Sequence, residues 1–256
     1  MELNIGDFVL YKEEKDIYII KDIKENTIVI KGYTHRIIRN VVQSELKLAS
    51  KEEIKIAVDY INNTKNKISR SLKTRSKNKV LYGRVLHIDG DIDYLNSCLS
   101  LYKELSVPAE GIYINEKDVK NKIEKILLQL TPDIIVITGH DLYNGKGTKD
   151  LNNYENSKNF IDAVRIVRKH FDANSVVVIV GACGSHFEAL IASGANFSSS
   201  PKRINIHTYD PTVIAIKVAT TSCNRTIDFE QVLEFIENKK DAFGGIETKG
   251  KMKVLL

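Results

Sequence analysis

Two runs of mostly β-branched residues constrain this chain more than any other feature. They are Asp133-Ile134-Ile135-Val136-Ile137-Thr138 and Ser175-Val176-Val177-Val178-Ile179-Val180. Neither alternates apolar with polar, as an interior strand covered on both faces of a parallel sheet does not. Between them Phe160, Ala163, Val164 and Val167 recur at helical spacing,. Strand, helix, strand is the βαβ unit, and its crossover is right-handed almost without exception.

Each run stops on a reactive side chain. The first enters Gly139-His140-Asp141, the second Gly181-Ala182-Cys183-Gly184-Ser185-His186. In a βαβ unit both stops fall at the same carboxyl edge, where open α/β sheets place their chemistry. Neighbouring strands lie about 4.8 Å apart, so side chains from both ends can lean into one crevice. A thiol and an imidazole there form a candidate nucleophile and proton shuttle, which points to a cysteine hydrolase of the peptidase kind.

Local sequence around the cysteine supports that chemistry. Ser185-x-x-Glu188 fits a capping box, so a helix is expected to begin at His186 and to end at Gly194,. The positive end of such a helix would favour the Cys183 thiolate. Backbone amides beside Gly139 and Gly184 are the candidates for holding an oxyanion. A buried cysteine at a strand end is the competing reading. His186 reads as a capping neighbour, His87 as a strand residue in packing, and His207 as a rival proton donor.

From residue 80 onward strands and helices alternate. Arg84 to Ile88 and Ala109 to Ile114 are two further strands, and Ile123, Ile126, Leu127 and Leu130 form another apolar helix face,. The expected fold of 80–256 is α/β, a parallel sheet covered by helices on both faces. After residue 195 the pattern blurs: 228–236 reads as a short helix capped by Asp228, Gly244-Gly245 as a loop, and 253–256 as a last strand. Residues 1–50 differ. Ile5 to Tyr11, Ile17 to Ile20, Thr27 to Gly32 and Arg36 to Arg39 are short strands between charged turns, suggesting a small SH3-like β module,. Residues 51–79 read as a helical and basic linker.

That linker carries Lys65, Lys67, Arg70, Lys73, Arg75, Lys77 and Lys79 with no acid from 65 to 79. Like-charge runs are usually solvated faces. No aromatic residue interleaves for base stacking, so nucleic acid is disfavoured as a partner. Three widely spaced cysteines without a CxxC pair argue against a disulfide framework or structural zinc,. Neither a signal peptide nor an apolar run of membrane-spanning length is legible, and a cytosolic setting is the expectation. No cofactor is implied.

Asp89-Gly90-Asp91-Ile92-Asp93 follows the first strand of the sheet. One acid suffices to cap the next helix. Three exceed that need and suggest a negative pocket for a lysine or arginine side chain of a substrate.

The order of a histidine after the third strand and a cysteine after the fourth resembles the caspase–legumain–gingipain clan of cysteine peptidases. There the histidine is usually followed by glycine; here Gly139 precedes it. A closer likeness rests on His87-Ile88-Asp89-Gly90-Asp91, Ile137-Thr138-Gly139-His140-Asp141, Gly181-Ala182-Cys183 with Ser185-His186-Phe187-Glu188-Ala189-Leu190, Gly194-Ala195-Asn196-Phe197 with Ser199-Ser200-Pro201, Asn205-Ile206-His207 with Asp210-Pro211, and Gly244-Gly245-Ile246-Glu247-Thr248. Together these resemble the YabG sporulation-specific peptidases of endospore-forming bacteria, in order across 80–250. The amino-terminal Ile5-Gly6-Asp7 matches more loosely.

The resemblance implies His140 and Cys183 as the catalytic pair. It also implies cleavage at basic residues of spore coat and cortex-related proteins in the mother-cell cytosol or at the forming coat. Arg70 and Arg75 in the basic linker are candidate self-processing sites. Two other classes stay open. One is a metallohydrolase drawing ligands from His87, Asp89, His140, Cys183 and His186. The other is a non-catalytic adaptor that binds protein or RNA through the β module and linker.

Overall fold

The computed structural model describes residues 3–12, 14–73 and 79–255. Its first part is a five-stranded antiparallel sheet of β1 (Phe8–Tyr11), β2 (Ile17–Ile23), β3 (Ile28–Gly32), β4 (Ile38–Val41) and β5 (Leu46–Leu48), in the order β4-β3-β2-β1-β5. Val9, Tyr18, Ile20, Ile28, Ile30 and Val41 fill its inner face. The sequence pattern had shown four strands. The fifth, Leu46-Lys47-Leu48, is too short to register as a pattern.

Helix α1 (Lys51–Leu72) starts on a reciprocal cap. The Glu53 N–H donates to Ser50 Oγ and the Ser50 N–H to Glu53 Oε2,. Its last turns bury Ile68 and Leu72 in a cluster shared with the β module and the second sheet. Lys67 and Arg70 of the basic run lie exposed on this packed helix, while Lys65 is half-buried against Ser100 and Glu104.

Next come β6 (Val80–Leu81), β7 (Val85–Asp89), α2 (Ile92–Glu104), β8 (Ala109–Tyr113), α3 (Glu116–Gln129), β9 (Ile134–Thr138), α4 (Ser157–His170), β10 (Val177–Val180), α5 (Phe187–Ala192), β11 (Phe197–Ser199), α6 (Asp210–Thr220), α7 (Phe229–Leu233), α8 (Lys239–Ala242), β12 (Phe243–Gly245) and β13 (Lys253–Val254). Six of these strands form one sheet, β12-β11-β10-β9-β7-β8, parallel except for β12. The Gly244-Gly245 pair expected in a loop lies in β12, the antiparallel edge strand. Strand β13 pairs with β6 in a separate two-stranded ribbon.

The β9 and β10 runs sort their side chains by parity, as the strand pleat dictates. Ile134, Val136, Val177 and Ile179 face the side covered by α1, α2 and α6; Ile135, Ile137, Val178 and Val180 face α3, α4 and α5. Each such side chain is buried, and burial contributes roughly 1.5–3 kcal/mol apiece. Helix α6 is buried nearly all round. That is why its Val213-Ile214-Ala215-Ile216 stretch shows no amphipathic period by which to find it.

Candidate active site

Strands β9 and β10 pair in parallel with Val180 opposite Ile137. His140 leaves two residues after β9 ends and Cys183 three after β10 ends, so both stand at one carboxyl edge on adjacent strands. Asp141 and Ser185, the second of which the sequence marks only as a helix cap, hold the departing loops together. Asp141 Oδ2 accepts from Ser185 Oγ at 2.9 Å and from Ser157 Oγ at 2.5 Å, while Ser185 Oγ accepts the Ala182 N–H at 2.9 Å. For Asp141 the signal is position alone, an acid just after the histidine; for Ser185 the capping-box spacing points to a different role. Burial raises the Asp141 carboxyl despite these bonds,.

His140 is fixed from several sides. Its N–H donates to Glu116 Oε1 at 2.7 Å, and its carbonyl accepts from Asn156 Nδ2 at 3.0 Å. Gly139 has no side chain because the buried Glu116 carboxylate runs where a Cβ would stand. On the ring, Nε2 bonds Asp91 Oδ2 at 3.1 Å, Tyr94 packs at 5.7 Å between centroids, and Nδ1 is buried without a hydrogen-bond partner.

Cys183 is 2% exposed and belongs to the apolar cluster on the α6 side. Its Sγ accepts the Ile206 N–H at 3.2 Å. Burial pushes the thiol up to about 12, outweighing that hydrogen bond and the Arg36 charge,. The helix expected to begin at His186 with Ser185 as its cap begins one residue later. Helix α5 begins at Phe187 with His186 as its cap, and Ser185 is spent on Asp141. The Gly184 N–H is held by Ser200 Oγ at 3.1 Å and by the Ile204 carbonyl. Gly181 sits at φ +115°, with Ser199 Oγ against the place of a Cβ,. Tyr94 packs on the His140 ring, and its phenol is raised by burial and by the Asp91 charge.

The three acids are charge-compensated from within the chain. Asp89 is wholly buried, bonded by Arg36 Nη1 at 2.7 Å and Thr138 Oγ1 at 2.9 Å. It therefore has no surface to offer a substrate, contrary to the shared-pocket expectation. Burial raises its carboxyl, but Arg36 and His87 hold it down at about 2. Asp91 caps α2 and meets Lys31 at 2.8 Å; Asp93, 57% exposed, meets Lys31 and Lys21. All three cations come from the β module, whose contribution to this edge the sequence did not disclose.

The rival histidines have other engagements. His87 is buried between Tyr102 and Thr138, and His186 accepts the Ala189 N–H at its own helix start. Burial drives His207 down to about 3. Among the described residues no three His, Cys, Asp or Glu side chains gather in a metal-holding arrangement. His87 and Asp89 are already bonded to Tyr102, Thr138 and Arg36, so the donor set does not favour the metallohydrolase reading. No helix among the described residues is long and apolar enough to cross a membrane.

Fold and site together define an α/β protein with a cysteine and a histidine at one sheet edge, buttressed by an amino-terminal β module. The chain belongs to the YabG peptidase U57 family, whose model matches residues 4–256. Over 177 residues it is 45% identical to the sporulation-specific protease YabG of Bacillus subtilis (strain 168), a match covering 67% of this chain and 60% of that protein. The chain thus spans less than two thirds of the length of that relative.

Proposed function

We propose that this chain is a cysteine endopeptidase that processes spore coat and cortex-related proteins during sporulation, cleaving at arginine or lysine. The observation that carries the reading is that Cys183 and His140 follow the carboxyl ends of adjacent parallel strands, their loops joined through Asp141 and Ser185. Family membership and the name of the Bacillus subtilis relative support it. The strand order, with the histidine after β9 and the cysteine after β10, supports a caspase-like sheet; the antiparallel sheet of β1–β5 is compatible with an SH3-like module.

In this reading the thiol starts protonated. As substrate seats, His140 takes the Cys183 proton and Sγ attacks the scissile carbonyl carbon, whose π electrons pass to oxygen. Amides beside Gly139 and Gly184 receive that oxyanion, the Gly184 N–H exchanging Ser200 Oγ and the Ile204 carbonyl for it,. The carbonyl re-forms, the C–N bond breaks, and His140 gives its proton to the leaving amine. Water then loses a proton to His140, attacks the thioester, and the thiol departs with that proton.

Of Asp89, Asp91 and Asp93 only Asp93 is exposed, and a substrate cation would compete there with Lys21 and Lys31. Arg70 lies exposed in the last turn of α1 as a self-cleavage candidate; Arg75, the other, lies outside the described residues. The test is hydrolysis of an arginyl peptide anilide by wild type, Cys183→Ala and His140→Ala. A fall of roughly 10³-fold or more is expected in both variants. Full activity in either overturns the pair. Intact mass should show a shortened chain in wild type alone if self-cleavage occurs.

A further inference from the structure

We propose that Asp91 is a positioning residue for His140, fixing its tautomer as well as its orientation, and that Lys31 of the β module fixes Asp91 in turn. This rests on the Cys183–His140 reading and adds a third and a fourth member to it. An ionised carboxylate only accepts hydrogen bonds, so the 3.1 Å contact between Asp91 Oδ2 and His140 Nε2 requires the proton on Nε2,. In the neutral ring Nδ1 then carries the lone pair, and it is the ring nitrogen that is buried with no partner,. That is the form needed to take a proton from a thiol.

Asp91 cannot rotate away. Its Oδ1 accepts from Lys31 Nζ at 2.8 Å, from the Asp93 N–H at 2.9 Å and from the Tyr94 N–H at 3.2 Å. Lys31 is itself 3% exposed, held over the Tyr94 ring at 4.6 Å. Burial raises the Asp91 carboxyl, but the His140 hydrogen bond and the Lys31 charge outweigh it and keep it ionised,. The ring of His140 is thus held between Asp91 and Tyr94, while Glu116 holds its backbone.

The experiment compares wild type, Asp91→Asn, Asp91→Glu, Asp93→Asn and His140→Ala by kcat and KM on an arginyl peptide anilide. In parallel, ¹⁵N shifts of the His140 ring are read with no substrate present. Asparagine caps a helix as well as aspartate does, so Asp91→Asn keeps α2 while losing the charge. The wild-type ring should be the Nε2–H tautomer, and Asp91→Asn should shift it toward Nδ1–H. For Asp91→Asn, kcat should fall roughly 10²–10⁴-fold with KM within about threefold. Asp91→Glu should recover part of the loss, and Asp93→Asn should keep the wild-type tautomer.

A wild-type Nδ1–H ring overturns the proposal whatever the activities. Wild-type kcat in Asp91→Asn beside an inactive His140→Ala overturns it and leaves the catalytic pair standing. An active His140→Ala removes both.

Discussion

Ser185 Oγ donates to Asp141 Oδ2 at 2.9 Å, tying the residue after His140 to the residue two beyond Cys183. The same hydroxyl accepts the Ala182 N–H, so one side chain sets both the exit of β10 and its distance from the exit of β9. Ser185→Ala should cost about 1–3 kcal/mol, because Asp141 stays buried with one donor fewer. Its kcat should drop about 10–100-fold as the two loops lose their register. Urea denaturation and peptide hydrolysis on the same preparation check this; a stable variant with wild-type kcat would show that the loops are held otherwise.

Arg36 and Asp89 join the β module to the carboxyl edge of the parallel sheet. Both side chains are wholly out of solvent, and Arg36 Nε also donates to the Thr208 carbonyl. Arg36→Met should cost about 3–5 kcal/mol by leaving a buried carboxylate without its partner. Adding Asp89→Asn should return part of that. The pair has a pH signature. With the Asp89 carboxyl at about 2 when folded against roughly 3.9 unfolded, its stabilisation is complete above the unfolded value and is lost as pH falls through the folded one,. Urea midpoints at pH 7 and pH 3 should therefore fall more steeply for wild type than for the double variant.

Asp210 behaves with the opposite sign. It is fully buried at the start of α6 with the His207 N–H on Oδ2, and burial pushes its carboxyl up to about 7. The folded state then holds a proton that the unfolded chain releases near 3.9. Its stabilising contribution is complete below that value and is lost as pH rises through about 7. Asp210→Asn keeps the acceptor and never ionises. It should match wild type at about pH 3 and exceed it at pH 8, by a few kcal/mol at most; equal stability at both values would show that Asp210 ionises freely in the fold.

Cys183 should be the slow thiol of the resting protein. Its pKa near 12 leaves little thiolate at neutral pH, whereas Cys223 is only partly buried,. Peptide mapping after brief iodoacetamide treatment should find Cys223 alkylated first. Faster reaction at Cys183 without substrate would mean an open, ionised thiol.

The sheet was legible because β9 and β10 are uniform apolar runs, and burial on both faces leaves few alternatives to an interior parallel strand. The edge placement of His140 and Cys183 followed from those two runs alone. What stayed hidden depends on long-range pairing. Arg36, Lys31 and Lys21 lie in a part of the chain whose local pattern speaks only of short strands, so nothing there marks them as partners of Asp89, Asp91 and Asp93. The acids accordingly looked like a pocket awaiting a cation from outside. The Ser185-x-x-Glu188 spacing suggested a cap, yet Asp141 claims that hydroxyl from another strand. A residue's local grammar loses to a tertiary partner when the partner is buried and charged.

Covalent capture tests the assignment of Cys183 most directly. The purified chain is incubated with an arginyl acyloxymethyl ketone, and the adduct is located by peptide mass spectrometry beside the His140→Ala variant. One adduct on Cys183, formed with loss of hydrolytic activity and much slower without His140, is the expected result. Loss of activity with the adduct on Cys98 or Cys223, or undiminished hydrolysis by a chain fully modified at Cys183, would contradict it.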